Sequence, residues 1–194
     1  MTAETKEQIL EATHQAICAH GYADLTMQRI ADHSALTTAA IHYHFDTKEE
    51  LLNAFLDHLL ARFEDRLVCE ARDPRERLTS FLDAIFISPA EGPTSVSIAL
   101  MELKAQAPHH EAYRAKLLEM DERMRAILTD AIEDGIEAGY FADVDAASVA
   151  RFVLTVINGA HARHVALDEP PIETDRDLRA YLAQRLDWTP EAVV

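Results

Sequence analysis

The sequence predicts an all-α protein of about nine helices, on three observations. Apolar residues recur at helical spacing through most of the 194 residues. Strand-like alternation is confined to Val96, Ile98 and Leu100, a lone run with nothing to pair with. Proline and glycine punctuate the chain at Gly21, Pro74, Pro89, Gly92, Pro93, Pro108, Gly139, Pro170, Pro171 and Pro190, leaving helix-length segments between them. Hydrophobic residues make up 48% of the chain, enough to bury a core without disulfide staples.

The segments carry their own starts and stops. Ile9, Thr13, Ala16, Ile17 and His20 form one stripe of a first helix over residues 5–20, and Gly21 supplies its stop. Two short helices follow, at about 26–33 and 37–44, each opened by a threonine N-cap. In each, an apolar residue before the cap is set to meet one in the first turn, Leu25 with Ile30 and Leu36 with Ile41. Ser34, Ala35 and Leu36 make the turn between them. Thr47 and Glu50 form a capping box for a long helix at about 47–72. Asp73-Pro74-Arg75-Glu76 repeats that logic, with proline at the first helical position. Later helices are expected at about 75–87, 94–106, 109–138, 145–167 and 174–187.

The two short helices cannot be stable alone. Their apolar face (Ile30, Ala31, Leu36, Ile41, Phe45) must pack on the first helix and on Leu51, Leu52 and Phe55. That is a helix-turn-helix, which leaves the second short helix free to enter a major groove of double-stranded DNA. Its outward positions are Thr38, Ala39, His42, Tyr43 and His44. Small side chains at its start permit close approach, and the later ones can donate to phosphates or base edges. Thr26, Thr37 and Lys48 stand at helix starts, where backbone N–H groups and the helix dipole favour phosphate oxygens.

Further on, Val149, Phe152, Val153, Val156, Ile157 and Ala160 form one face of a helix, while Ala150 and Leu154 make a second. A helix apolar on two sides is covered on two sides, here by its own domain and by a second copy. Leu178, Tyr181 and Leu182 form a stripe beside Arg185. The expected homodimer interface is therefore a four-helix arrangement about a two-fold axis, using Val149, Val153, Val156, Ile157, Ala160, Leu178, Tyr181, Leu182 and Arg185.

Residues 5–55 resemble the DNA-binding domain of TetR-family transcriptional regulators. The resemblance lies in the Ile9-to-His20 helix, Gly21-Tyr22, Leu25-Thr26, Ile30-Ala31, Ile41-His42-Tyr43-His44-Phe45 and Thr47-Lys48-Glu49-Glu50-Leu51-Leu52. It implies a helix-turn-helix DNA-binding domain over residues 1–50 and a helical ligand-binding and dimerisation domain over 51–194. It also implies a homodimer on a pseudo-palindromic operator, its recognition helices about 34 Å apart, and repression lifted by a small effector. The implied ligand cavity would be lined by Phe63, Phe81, Ile85, Phe86, Met101, Met120, Met124 and Phe152, a set suited to an apolar or amphipathic molecule. The chain departs from the family's usual pattern at Ala35-Leu36, where Gly-Val is common, and at Thr37-Thr38-Ala39, where Ser-Lys-Gly is frequent.

Thirty-four acids against 18 bases give a net charge of −16, and within residues 1–50 only Lys6, Arg29 and Lys48 oppose eight acids. Phosphate attraction at low salt is then expected to be weak. Such an acidic, lysine-poor surface suits high salt, where repulsion is screened within about 3 Å at 1 M. The chain has no apolar run of spanning length, and its N-terminus lacks a basic stretch followed by an apolar core; both predict a cytoplasmic protein that does not enter a membrane. Cys18 and Cys69 read as small buried thiols.

Catalysis has little support. There is no Gly-x-Ser-x-Gly elbow, no glycine-rich phosphate loop and no activating motif around either cysteine, so neither catalytic residue nor cofactor is expected. A metal-responsive sensor is an alternative, resting on His161, His164 and Asp168 and on His109-His110-Glu111. A di-iron bundle would need two Glu-x-x-His motifs, and only Glu11-x-x-His14 is present, so no metal ligand is assigned. A helix-turn-helix protein acting by protein contact, without a small-molecule ligand, is the other alternative.

Overall fold

The structure, a computed structural model, describes residues 3–67, 73–86 and 93–188. Those residues form nine α-helices and no strand: α1 (Ala3–Asp24), α2 (Met27–Asp32), α3 (Thr38–His44), α4 (Lys48–Leu67), α5 (Pro74–Phe86), α6 (Pro93–Gln106), α7 (Glu111–Glu137), α8 (Ala146–Leu167) and α9 (Pro171–Arg185). Val96, Ile98 and Leu100 lie in α6, so their alternation is not a strand. Cys69, and the last residues expected of the fourth helix, 68–72, lie outside the described residues.

Local chemistry sets the helix starts. Thr26 Oγ1 accepts the Arg29 N–H at 3.2 Å, and Thr37 Oγ1 accepts that of Ala40 at 3.2 Å. Thr47 Oγ1 accepts the Glu50 N–H at 3.1 Å, while the Glu50 carboxylate reaches past the cap to the Asp46 N–H at 2.9 Å. Asp73 takes the Arg75 N–H ahead of α5, and Asp145 takes the Ser148 N–H ahead of α8. Each such cap is worth about 1 kcal/mol. α9 starts at Pro171, before the expected 174, because a proline in the first turn removes a donor that had no partner anyway.

The chain divides into two compact units, Met1–Arg62 with Thr94–Glu119, and Phe63–Pro93 with Met120–Val194. In the first, Ile9, Ala16 and Ile17 of α1 are buried together with Leu25, Ile30, Ile41, Phe45, Leu51, Leu52 and Phe55. Thr13 shares that core by donating its hydroxyl to the Ile9 carbonyl at 2.8 Å. His20, placed on the same stripe by spacing, is exposed instead. α1 is interrupted at Gly21, whose φ of 70° and ψ of 171° lie where only glycine is at ease, and helical turns resume as far as Asp24.

In the second unit α5, α7, α8 and α9 share one apolar core, including Phe81, Phe86, Leu128, Ile132, Val153, Leu182 and Trp188. Arg179 of α9 bridges to α5, donating to Asp83 at 2.7 Å, and also donates to buried Asp175 at 2.8 Å. Burial pushes the Asp175 carboxyl up, and the Arg179 guanidinium pulls against it. Val149, Val153, Ile157, Ala160, Leu178 and Leu182 of the expected dimer surface are buried within their own unit. Val156 is half-buried, and Tyr181 and Arg185 face outward. Phe152, of the expected ligand set, is 42% exposed, and its ring lies tilted at 43° against Tyr181 with centroids 4.6 Å apart.

Candidate nucleic-acid interface

α2, the Ser34 turn and α3 form the helix-turn-helix, with α2 packed on both α1 and α3. Ser34 stiffens the turn. Its hydroxyl donates to the Ala31 carbonyl at 3.2 Å and accepts the Leu36 N–H at 3.1 Å. Ile41 anchors α3 in the core, so the residues on either side of it face away.

Of the eight candidate DNA contacts, Thr26, Thr37, Ala39, His42 and Tyr43 are exposed, Tyr43 most of all at 73%. Both cap threonines spend an acceptor lone pair on the helix start and keep the hydroxyl proton for another partner. Thr38 is half-buried and donates to Gln28 Oε1 at 2.8 Å, and Gln28 in turn holds Asp32. That chain of side-chain bonds couples the two short helices, a role the sequence reading did not assign to Gln28. His44 is turned away from the open face. Its Nε2 is buried without a hydrogen-bond partner, and its ring lies against Tyr43 and Phe45.

The bases of the region are engaged inside the unit. Lys48 Nζ donates to the Tyr22 carbonyl at 2.8 Å and sits 4.0 Å from the Tyr22 ring centroid. Partial burial lowers its pKa. Arg29 donates to the Asp24 carbonyl at 2.8 Å, and Lys6 lies over the Phe45 ring. The outward surface of α3 is thus one of hydroxyls, an imidazole and a phenol, and carries few ammonium groups.

The Gly21-Tyr22 corner is held from far along the chain. Glu102 of α6 accepts the Tyr22 N–H at 3.2 Å, and the Tyr22 hydroxyl meets His110 Nε2 at 3.2 Å, just ahead of α7. Tyr113 is buried against both rings, and that burial, with its Tyr22 contact, holds its phenol well above the usual range. These partners are some 80 residues from the corner, so local pattern gave no sign of them.

The expected ligand residues do not form one group. Phe81 and Phe86 are buried in the second unit's core, with Phe63, Ile85 and Met124 packed against it. Met120 is half-buried in that unit, whereas Met101 belongs to the first. A surface groove of about 610 Å³ between α7 and α8 is lined by Glu122, Arg125, Asp130, Asp145 and Arg151, not by the apolar set. Of the histidines of the metal alternative, His110 Nε2 meets the Tyr22 hydroxyl at 3.2 Å and His164 Nδ1 the Glu169 carbonyl at 3.1 Å, and among the described residues no group of three or more candidate ligands comes together.

A capped, buried-side-anchored short helix that turns Tyr43 and His42 to solvent defines a DNA-binding regulator of the helix-turn-helix class. Residues 9–55 match the model of the tetR family of bacterial regulatory proteins, and residues 74–187 match the C-terminal domain of BetI-type transcriptional repressors. The crystal structure of a TetR transcription regulator from Haloarcula marismortui superposes with a TM-score of 0.88 at 43% identity, covering 95% of this chain and 100% of that one. Among curated relatives, the HTH-type transcriptional regulator BetI of Rhizobium meliloti is 28% identical over 173 residues, which is 88% of this chain and 82% of the relative. The HTH-type transcriptional repressor KstR2 of Mycobacterium tuberculosis is 29% identical over 151 residues, 75% of this chain and 74% of the relative. The chain belongs to the TetR family and is a DNA-binding transcriptional regulator. No helix among the described residues is long and apolar enough to cross a membrane.

Proposed function

We propose that this regulator is a cytoplasmic homodimeric repressor that leaves a pseudo-palindromic operator when a small apolar or amphipathic effector binds. Residues 1–50 serve DNA, and 51–194 serve effector and partner copy. The observation that carries the reading is the outward presentation of Thr37, Ala39, His42 and Tyr43 on α3, with Ile41 anchoring the opposite side. The exposed Phe152–Tyr181 pair supports the dimer, because aromatic rings left in water are enriched at interfaces. The effector acts only if it binds one conformation of the dimer better than the other.

With Lys6, Arg29 and Lys48 engaged internally, counterion release contributes little and binding survives high salt. Footprinting on DNA upstream of the chain's own gene, in a potassium chloride series reaching molar concentrations, tests this. A protected two-fold symmetric site at high salt is expected, and Tyr43→Ala should weaken it about tenfold. Absence of any protected site across the series would overturn the reading.

A further inference from the structure

Two histidines of the helix-turn-helix unit meet without any role in the DNA surface described above. His20 and His33 face each other Nε2 to Nε2 at 3.3 Å, with the rings edge-on at 66° and centroids 5.4 Å apart. His20 is the last residue of α1 before Gly21, and His33 is the C-cap of α2. His20 is exposed and His33 half-buried, so the pair is open to ions.

Two imidazole nitrogens this close either share one proton or converge on one cation. The separation discriminates between metal geometries. Ligands of a tetrahedral cation with bonds of about 2.0–2.1 Å stand about 3.3–3.4 Å apart. A square-planar set at the same bond length would bring them to about 2.9 Å. The 3.3 Å separation is compatible with the first, as it is with an N–H···N hydrogen bond between the two rings in the absence of metal. The net charge of the region favours a cation as well, since residues 1–50 carry eight acids against three bases.

We propose that His20 and His33 form a two-imidazole site for a divalent, tetrahedral, borderline-soft cation of the zinc class, bound through both Nε2 atoms with water completing the shell. Among the described residues no third histidine, cysteine, aspartate or glutamate joins them in a ready-made group, so the site is an open one that fills and empties with free metal. A cation here ties the end of α1 to the end of α2, immediately before the turn that carries α3, and so stabilises the folded unit by mass action.

The test uses the metal-free full chain, titrated with zinc chloride in competition with a chromophoric chelator. Cobalt(II) serves as an optical probe, because tetrahedral cobalt absorbs strongly in the visible. The expected result is one saturable site per chain that His20→Gln or His33→Gln weakens about tenfold or more, while His109→Gln, at an exposed position elsewhere, leaves it unchanged. Imidazole nitrogen NMR of the unmutated chain gives a readout independent of any variant. Zinc should shift two Nε2 resonances that the variants assign to His20 and His33, with both Nδ1 protons retained. Equal zinc affinity in the unmutated chain and the His20→Gln/His33→Gln double variant would overturn the proposal, as would zinc shifts confined to other histidines.

Discussion

At the Gly21-Tyr22 corner of the first unit the backbone is gripped by polar groups: a carboxylate on the Tyr22 N–H, an ammonium on its carbonyl, an imidazole on its hydroxyl. At the end of α7 in the second unit the comparable reversal is closed by an aromatic ring, Phe141, which fills the space beside Gly135 and packs edge-on against Trp188. Both corners need a glycine for a backbone angle, Gly21 at φ 70° and Gly139 at φ 73°, and the second also needs Gly135 for space. Hydrogen bonds that exchange with water contribute about 1 kcal/mol each, whereas burying a ring contributes two or three times that. The first corner can therefore yield locally without loss of the unit, and the second cannot.

The sharpest way to break this contrast is Gly135→Ala. A Cβ there would lie 2.1 Å from Phe141 Cδ2 and 2.3 Å from Cε2, and the ring, buried against Trp188, has nowhere to swing. Urea unfolding should show a loss of about 3 kcal/mol. A loss below about 1 kcal/mol would mean that Phe141 repacks freely and that the aromatic closure is soft.

Gly21→Ala should have a smaller effect, about 2 kcal/mol, because the cost is conformational. The φ of 70° with ψ of 171° is hostile to any side chain, but the nearest obstacle is the Glu102 carboxylate at 3.3 Å, the end of a flexible chain that can move aside. Amide hydrogen exchange should quicken at Tyr22 in this variant and stay unchanged around Phe141. Equal quickening at both sites would show that the two corners are not separately held.

What the sequence disclosed follows the same division between local and remote causes. Caps at Thr26, Thr37, Thr47 and Asp145 act within three residues, so spacing alone located α2, α3, α4 and α8. The outward side of α3 was legible because Ile41 and the staples left one face unclaimed. Glu102 and His110 were not legible, since nothing near them in the chain marks them as partners of a corner some 80 residues away. The His20–His33 meeting depends on the turn at Gly21, which spacing reads only as a stop. On α8 the difficulty was of another kind. Helical periodicity counts apolar positions but does not say which stripe faces the home core, and Ala150, Val153, Leu154 and Ile157 together proved to be the inner side.

That assignment gives the mildest test. Phe152 and Leu154 are two residues apart on α8, yet one is 42% exposed and the other buried. Leu154→Ala should cost about 3 kcal/mol, as a cavity in a core does. Phe152→Ala should cost the isolated protomer only about 0.5 kcal/mol, the small stacking gain with Tyr181. Unfolding followed at high dilution isolates that intrinsic effect from any contribution of a second copy. The same variant examined by sedimentation at higher concentration then reports on the outer face alone. A shift toward monomer with the protomer fold intact would place Phe152 in the contact between copies. An unchanged association would leave the aromatic pair exposed without a partner, and the outer side of α8 would have to be removed from the dimer surface.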